Sequence, residues 1–239
     1  MQPAVSQADV AKEFDAYRET YAQTVNESLV VPGLDVDFFT RVKADYLIDI
    51  ITREIGDPKT ARVLDIGCGV GVYHQNLRPR VGSLSGVDVS VQSIDMAKTH
   101  NDGVDYSHYA GARLPYDDGS FDVAMTVCVM HHVPVPMWEN FASEMARILR
   151  PGGMAVVFEH NPRNPLTMRI VNRCPFDADA VLLKPAKTKS LLSGAGFDAV
   201  RARHILSVPP AGKALRLIDG LFSPLHLGAQ YYALGKKPQ

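Results

Sequence analysis

The chain has 239 residues, of which 46% are hydrophobic and 21% are charged, and its formal net charge is -1. This length favours one domain with a large core, and the near-neutral charge argues against a nucleic-acid partner. No apolar run approaches the roughly 20 residues that a membrane-spanning helix needs. The polar N-terminus lacks the features of a signal peptide. Three scattered cysteines predict neither a disulfide framework nor a zinc site. We therefore expect a cytoplasmic protein without a metal site and without a membrane partner.

The charges are distributed unevenly along the chain. From His160 onward there are 12 lysines and arginines and 4 acidic residues, a formal charge of +8, which leaves -9 for the first 159 residues. Two explanations stay open. The two parts attract each other in the fold, or the C-terminal third presents cations to an anionic substrate.

Two helical patterns precede the main body of the chain. Aromatic residues at helical spacing predict one helix over 10–25, and an amphipathic pattern predicts another over 38–55. The chain breaks at Gly56, as expected for the end of a helix. The first helix either packs against the domain or lies over a ligand as a lid.

From Arg62 onward the pattern alternates between strands and helices. This alternation predicts a mostly parallel sheet with helices on both faces. The predicted strands are 62–66, 84–88, 104–109, 121–129, 154–160, 197–206 and 229–236. The predicted helices are 71–78, 90–99, 137–149 and 186–194. Two proline-containing connections, 161–184 and 208–228, interrupt the alternation, and long connections in compact domains are more often functional than idle.

A glycine turn follows the first predicted strand. Gly67, Gly69 and Gly71 stand at every second position, and Asp88 ends the next predicted strand. A strand, a glycine turn and a helix form the geometry in which a nucleotide-like ligand lies against bare backbone. The spacing differs from the Gly-x-Gly-x-x-Gly of dinucleotide-binding enzymes, which disfavours a nicotinamide-dependent dehydrogenase.

These segments resemble motif I and the ribose-binding acid of class I, Rossmann-like S-adenosyl-L-methionine (SAM) methyltransferases. Three later segments match the same family in the same order: 114–122, 128–133 and 149–153. The resemblance is to the small-molecule bacterial type (type 11/25). It implies a three-layer α/β sandwich with a seven-stranded sheet, an antiparallel last strand and a helical N-terminal extension.

Within this resemblance the chain divides into three parts of one domain. Residues 1–57 form a helical cap, 58–160 the SAM-binding core, and 161–239 the acceptor-side insertions and the final strands. The implied activity is methyl transfer from SAM to a small-molecule acceptor, with S-adenosyl-L-homocysteine (SAH) as product.

The resemblance also assigns the cofactor site. Asp65 would hold the glycine turn or the ammonium group of the ligand, and Asp88 would accept hydrogen bonds from the ribose hydroxyls. The family usually has an Asp at the position of Ala110, so the backbone of Ala110 and Gly111 would contact the adenine here. The expected cofactor contacts are Tyr17, Tyr21, Asp65, Gly67, Cys68, Gly69, Gly71, Asp88, Val89, Ala110, Gly111 and Cys128.

Histidines at two strand ends are the candidate bases. His131 and His132 follow the fourth predicted strand and His160 ends the fifth, so all three should face one crevice. The pKa of histidine suits proton transfer near neutral pH. We expect the base to be His131 or His160, although transfer by proximity alone stays open. The expected acceptor contacts are His132, Glu159, Asn161 and Arg163.

The sequence leaves several points open. The acceptor atom, oxygen or nitrogen, is not determined, and neither is the oligomeric state, a homodimer included. A protein of the same fold that binds SAM without methyl transfer, either a regulatory partner or a non-methylating SAM enzyme, fits the same motifs.

Overall fold

A computed structural model of the chain describes residues 7–17, 20–28, 35–209 and 212–239. A seven-stranded sheet forms its centre. The strands are β1 (Arg62–Ile66), β2 (Ser83–Asp88), β3 (Asp105–His108), β4 (Phe121–Val127), β5 (Leu149–His160), β6 (Asp198–Ile205) and β7 (Gln230–Lys236). The helices are α1 (Gln7–Tyr17), α2 (Tyr21–Ser28), α3 (Val36–Glu54), α4 (His74–Leu77), α5 (Val91–His100), α6 (Trp138–Ile148), α7 (Pro165–Val171), α8 (Pro185–Gly194) and α9 (Lys213–Phe222).

The strand order is β3-β2-β1-β4-β5-β7-β6. Strands β1 to β5 are parallel, and β7 is antiparallel to both of its neighbours. This arrangement confirms the predicted Rossmann-like fold with an antiparallel last strand. Strands β2 and β3 follow on one side of β1, whereas β4 and β5 follow on the other side. At such a change of direction, the carboxyl ends of the two central strands, β1 and β4, flank a crevice of the kind that binds ligands.

The core lies on both faces of the sheet. Every residue of β4 is buried, as expected for a parallel strand that is covered on both sides. Val123 packs in a cluster with Leu47 and Ile50 of α3, and the next residue of β4, Ala124, packs in another cluster with Phe141 of α6. Full burial of each large side chain contributes about 1.5–3 kcal/mol.

The N-terminal part differs from the prediction of one helix over 10–25. It forms two helices, α1 and α2, with a turn at Thr20 between them. The Ser90 hydroxyl, which caps α5, donates a hydrogen bond to the Asp15 carboxylate of α1. This bond holds α1 against the carboxyl edge of the sheet. The side chains of Tyr17 and Tyr21 lie outside the described residues.

Other boundaries also differ from the predictions. The helix predicted over 71–78 is the single α-helical turn α4, which begins three residues later because the glycine turn extends into its start, and which ends before Pro79. The two long connections contain α7 and α9, which the sequence analysis left as irregular segments. Asn164 caps α7 by accepting hydrogen bonds from the backbone N–H groups of Leu166 and Thr167 at 2.9 and 3.0 Å.

Across the described ranges, no helix combines the length and the apolar character that crossing a membrane requires.

Candidate active site

A cleft opens at the carboxyl edge of the sheet and has a volume of about 920 Å³, including its mouth. The glycine turn, the end of β2, the end of β4 and the start of α1 form its walls. The side chains and backbone that line it belong to Gln7, Val10, Asp65, Gly67, Cys68, Gly69, Val70, Val72, Tyr73, Asp88, Val89, Ser93, Tyr109, Val127, Cys128, Val129, His132 and Val133.

The glycine turn needs glycine for two different reasons. Gly67 has φ +75°, and a Cβ there would lie 2.6 Å from the side chain of Val129. Gly69 has φ +52°, and a Cβ there would meet no atom within 4 Å, so bare backbone borders the cleft. Gly71 is different, because a Cβ there would lie 2.7 Å from the Tyr106 hydroxyl. Gly71 therefore allows close packing behind the turn and does not line the cleft.

Asp88 ties the glycine turn to the end of β2. Its Oδ2 accepts a hydrogen bond from the Gly69 N–H at 2.8 Å, and its Oδ1 accepts one from the Ser90 N–H at 2.9 Å. Burial raises the pKa of Asp88, while these backbone N–H groups lower it. Both carboxylate oxygens keep lone pairs that can accept hydrogen bonds from a ligand in the cleft.

Asp65 is held from behind by two residues that the sequence analysis missed. The Nε2 atom of His74 lies 3.1 Å from Asp65 Oδ2, and the Nδ1 atom of His74 lies 2.5 Å from the Tyr106 hydroxyl. The rings of His74 and Tyr106 stack with centroids 5.4 Å apart. No motif marks this link, because its members come from three separate segments of the chain.

Most of the predicted cofactor residues that the structure describes meet in this cleft, and three, Gly71, Ala110 and Gly111, do not. Cys68, Val89 and Cys128 line it, as predicted. Ala110 is exposed, and Gly111 packs against Gln7, so neither is among the lining residues. Tyr109 lines the cleft next to them. The adenine contact of Ala110 and Gly111 therefore stays a prediction.

A second cleft of about 940 Å³ adjoins the first. Helices α2, α3 and α7 and the short helical turn at Pro175–Asp177 contribute to its walls. Four residues line both clefts: Val72, Tyr73, Cys128 and His132. Ligands held in the two clefts would therefore meet across these side chains.

Buried histidines and carboxylates cluster at the second cleft. His131 Nδ1 lies 2.5 Å from Glu159 Oε2, and His131 Nε2 lies 3.6 Å from Asp177 Oδ1. His132 Nε2 lies 3.3 Å from the same Asp177 oxygen. The His160 ring lies 5.3 Å from the His131 ring, measured between centroids.

The charges of this cluster give its histidines different protonation states. Burial opposes a charge on His131, but Glu159 and Asp177 outweigh burial and raise the pKa of His131 to about 10. Burial, and then the positive charge of His131, lower the pKa of His160 to about 4. The same two causes lower the pKa of His132. At neutral pH a charged His131 therefore stands beside two neutral histidines.

The cluster also has the spacing of a metal site. His131, His132 and Asp177 each offer one ligand atom, and these atoms lie within 4.8 Å of one another. Histidine nitrogens and a carboxylate oxygen suit a divalent cation. The raised pKa of His131 favours a protonated ring, in which one N–H faces Glu159 and the other faces Asp177.

The predicted acceptor residues are placed unevenly. His132 lines both clefts, whereas Glu159 is fully buried behind His131. The Asn161 amide donates hydrogen bonds to the carbonyls of His226 and Gly228 at 3.0 and 2.8 Å, which fixes the loop before β7. Arg163 is exposed. Neither Asn161 nor Arg163 is among the residues that line the second cleft.

Three residues at the second cleft were missed by the sequence analysis: Lys43, Asp177 and Gln230. Lys43 lies in α3, Asp177 in the connection after α7, and Gln230 at the start of β7. None of the three belongs to the motifs that predicted the site. The one available signal was the position of Lys43, which falls on the buried side of an amphipathic helix.

Comparisons with known proteins agree with this arrangement. A family model described as a methyltransferase domain matches residues 64–157. A ubiquinone biosynthesis O-methyltransferase from Rhizobium etli is 32% identical over 223 residues, which cover 84% of this chain and 85% of that protein. A 24-methylenesterol C-methyltransferase from Oryza sativa is 26% identical, and the match covers 82% of this chain but only 56% of the rice protein.

The fold is shared with a solved structure from Thermotoga maritima. That protein is described as a SAM-dependent methyltransferase and a possible histamine N-methyltransferase. Its TM-score to this chain is 0.67 at 20% sequence identity, and the alignment covers 95% of this chain and 99% of the other.

Proposed function

Because the chain belongs to the family of SAM-dependent methyltransferases, we propose that it transfers a methyl group to an oxygen or nitrogen atom of a small-molecule acceptor. The observation that carries this proposal is the wall shared by the two clefts. Cys128 and His132 line both clefts. An acceptor bound in the second cleft would therefore lie next to a cofactor bound in the first. Holding two reactants in contact supplies much of the catalysis of a displacement reaction.

The first cleft fits SAM. The bare backbone at Gly69 leaves room for a ligand, and Asp88 offers two carboxylate oxygens at the end of β2. Asp65, braced by His74, lines the same cleft and can accept a hydrogen bond from an ammonium group. SAM would supply the methyl group on its sulfonium, and the protein would hold the acceptor next to that methyl group.

We assign the proton-accepting role to His160. It lines the second cleft, and it is neutral at physiological pH because burial and the charged His131 lower its pKa. His131 has a carboxylate oxygen near each of its ring nitrogens, so it holds its proton and acts as a positioning residue. His132, neutral and shared by both clefts, contacts the acceptor.

Two measurements test this proposal. Calorimetric titration with SAH measures cofactor binding, and transfer of label from methyl-labelled SAM to a panel of phenols, carboxylic acids and amines measures activity. We expect SAH to bind and label to appear in a small-molecule product. His160→Gln should lower turnover about 100-fold while SAH affinity is unchanged. His100→Gln, at the exposed end of α5, is the matched control.

Each result has a defined meaning. Absence of SAH binding would contradict the proposal as a whole. SAH binding without label transfer to any acceptor would favour a SAM-binding protein that does not methylate. Unchanged turnover in His160→Gln would remove His160 from the mechanism and favour transfer by proximity alone.

A further inference from the structure

Lys43 is a buried cation in the wall of the second cleft. It is only 5% exposed. Its Nζ atom lies 3.8 Å from the Cys128 sulfur and 5.5 Å from the centroid of the Tyr73 ring. Among the described residues, no carboxylate oxygen lies within 4 Å of this ammonium group. A buried charge without a counter-ion is costly, so the site favours a ligand that brings a negative charge.

Neither of the two nearby carboxylates pairs directly with Lys43. Glu159 and Asp177 are both directed at histidines, the first at His131 and the second at His131 and His132. Because these contacts are at 3.6 Å or less, the negative charge of the cluster is concentrated around the imidazolium of His131. His160, which also lines this cleft, is neutral at physiological pH because burial and the charge of His131 lower its pKa.

Gln230 adds a buried polar atom that has no hydrogen-bond partner in the ranges that the structure describes. Its side chain is 8% exposed, and its Nε2 atom lies 3.8 Å from the Cys128 sulfur and 3.4 Å from His160 Nδ1. Its Oε1 atom is buried and has no hydrogen-bond partner within the described part of the chain. Lys43 and Gln230 thus both contact Cys128, which lines the cofactor cleft as well.

We propose that Lys43 and Gln230 bind an acidic hydroxyl or carboxyl group of the acceptor beside Cys128. The acceptor class is then an ionisable oxygen acid, that is, a phenol, an enol or a carboxylic acid. The Lys43 ammonium stabilises the oxyanion, and the amide of Gln230 contacts the same group before it ionises. This inference rests on the proposed function, because it names the group that would receive the methyl.

The same geometry disfavours amine acceptors. An alkyl amine is mostly protonated at neutral pH, and its positive charge would be repelled by the buried ammonium group of Lys43. An oxygen acid instead has its pKa lowered by the neighbouring ammonium, so it loses its proton more readily to His160. In balance, the acceptor would lose its proton to His160 and then to solvent, its oxygen would form a bond to the methyl carbon as the S–CH3 bond of SAM breaks, and the former sulfonium would leave as the neutral thioether of SAH.

The experiment uses para-nitrophenol, because its phenolate is coloured and reports its own ionisation. The probe is titrated with pH in the presence of excess protein and saturating SAH. We expect the pKa of the bound probe to lie about one unit or more below that of the free probe. Lys43→Met should abolish this shift, and Lys43→Arg should retain most of it.

Lys187→Met is the matched control. Lys187 is exposed and also lies over an aromatic ring, with its Nζ atom 5.8 Å from the centroid of Trp138, but it is not part of the second cleft. Lys187→Met removes one positive charge and one ring contact, as Lys43→Met does, but outside the second cleft. The pKa shift of the bound probe should therefore be unchanged. If Lys43→Met does not fold, the wild-type protein alone still tests the proposal, because the proposal requires that the pKa of the probe falls when it binds the wild-type protein.

SAH binding is measured in parallel to separate the two claims. SAH binding together with a probe that does not bind, or binds with an unchanged pKa, would overturn the role of Lys43 alone. Tighter binding of a benzylamine than of para-nitrophenol would overturn the acceptor class. A protein that fails to bind SAH would contradict the proposed function itself.

Discussion

His131 Nδ1 and Glu159 Oε2 lie 2.5 Å apart in the interior and join the segment after β4 to the end of β5. The other carboxylate oxygen of Glu159 accepts a hydrogen bond from the Met130 N–H at 2.9 Å. One buried carboxylate therefore positions this segment and maintains the charge of His131. That charge in turn lowers the pKa of His160.

Replacing Glu159 by Gln should destabilise the protein by about 3 kcal/mol, because it leaves His131 without its main counter-ion in the interior. The pKa of His131 should fall toward the ordinary value for histidine. Urea denaturation measures the first effect and NMR titration of the histidine ring the second. Glu139→Gln, on the exposed face of α6, is the control. Equal stability of the two variants would contradict a structural role for the pair.

The pH dependence of stability follows from the same charges. The pKa values of His160 and His132 are lowered by folding, so the unfolded chain binds more protons below pH 6.5. Stability should fall as the pH falls from 6.5 toward 4, by at most about 1.4 kcal/mol per pH unit for each histidine. The raised pKa of His131 has the opposite effect, since its contribution is complete below pH 6.5 and is lost as the pH rises through about 10.

We therefore expect maximum stability near pH 6.5. Urea denaturation between pH 4 and pH 10 tests this, and His160→Gln should flatten the acid side of the curve. An acid side that keeps its full slope in this variant would show that other groups determine it.

Asp88→Asn should weaken SAH binding about 10- to 100-fold, because hydrogen bonds to a charged acceptor contribute about 1.5–3 kcal/mol each. Calorimetry measures the affinity. The control is Asp95→Asn in the following helix α5, since the Asp95 side chain is 69% exposed. An affinity that both substitutions leave unchanged would argue that the ligand lies elsewhere.

The glycine turn can be tested with a pair of alanine substitutions. Gly67→Ala should lower the free energy of unfolding by about 1–3 kcal/mol, because φ is +75° and the new Cβ would lie 2.6 Å from Val129. Gly194→Ala, at the end of α8, meets no atom within 4 Å and should be neutral or stabilise by up to about 1 kcal/mol. Similar effects at both positions would refute the strained geometry of the turn.

Much of the fold could be predicted because its signals are local. Buried parallel strands are apolar at consecutive positions, and this pattern identified β1 and β4 directly. The segment of α9 was missed because Pro209 and Pro224 surround it and suggest a loop, although residues 213–222 contain no proline. The break between α1 and α2 was missed because the aromatic spacing continues across Thr20.

The candidate site was predictable only where it lies within one segment. The glycine turn and Asp88 belong to local patterns, so the sequence alone identified them. Lys43, Asp177 and Gln230 come together only through the packing of distant elements. Arg163 was an expected acceptor contact, but the structure leaves that side chain in solvent and places the buried cation, Lys43, in α3.

The proposed acceptor chemistry requires a charged His131 beside a neutral His160. NMR titration of ring-labelled histidines in the SAH complex measures both directly, with His131→Gln and His160→Gln used for assignment. We predict that His131 stays protonated through pH 8 and that His160 stays neutral down to about pH 5. A neutral His131 at pH 7, or a His160 that titrates near pH 6.5, would contradict the account.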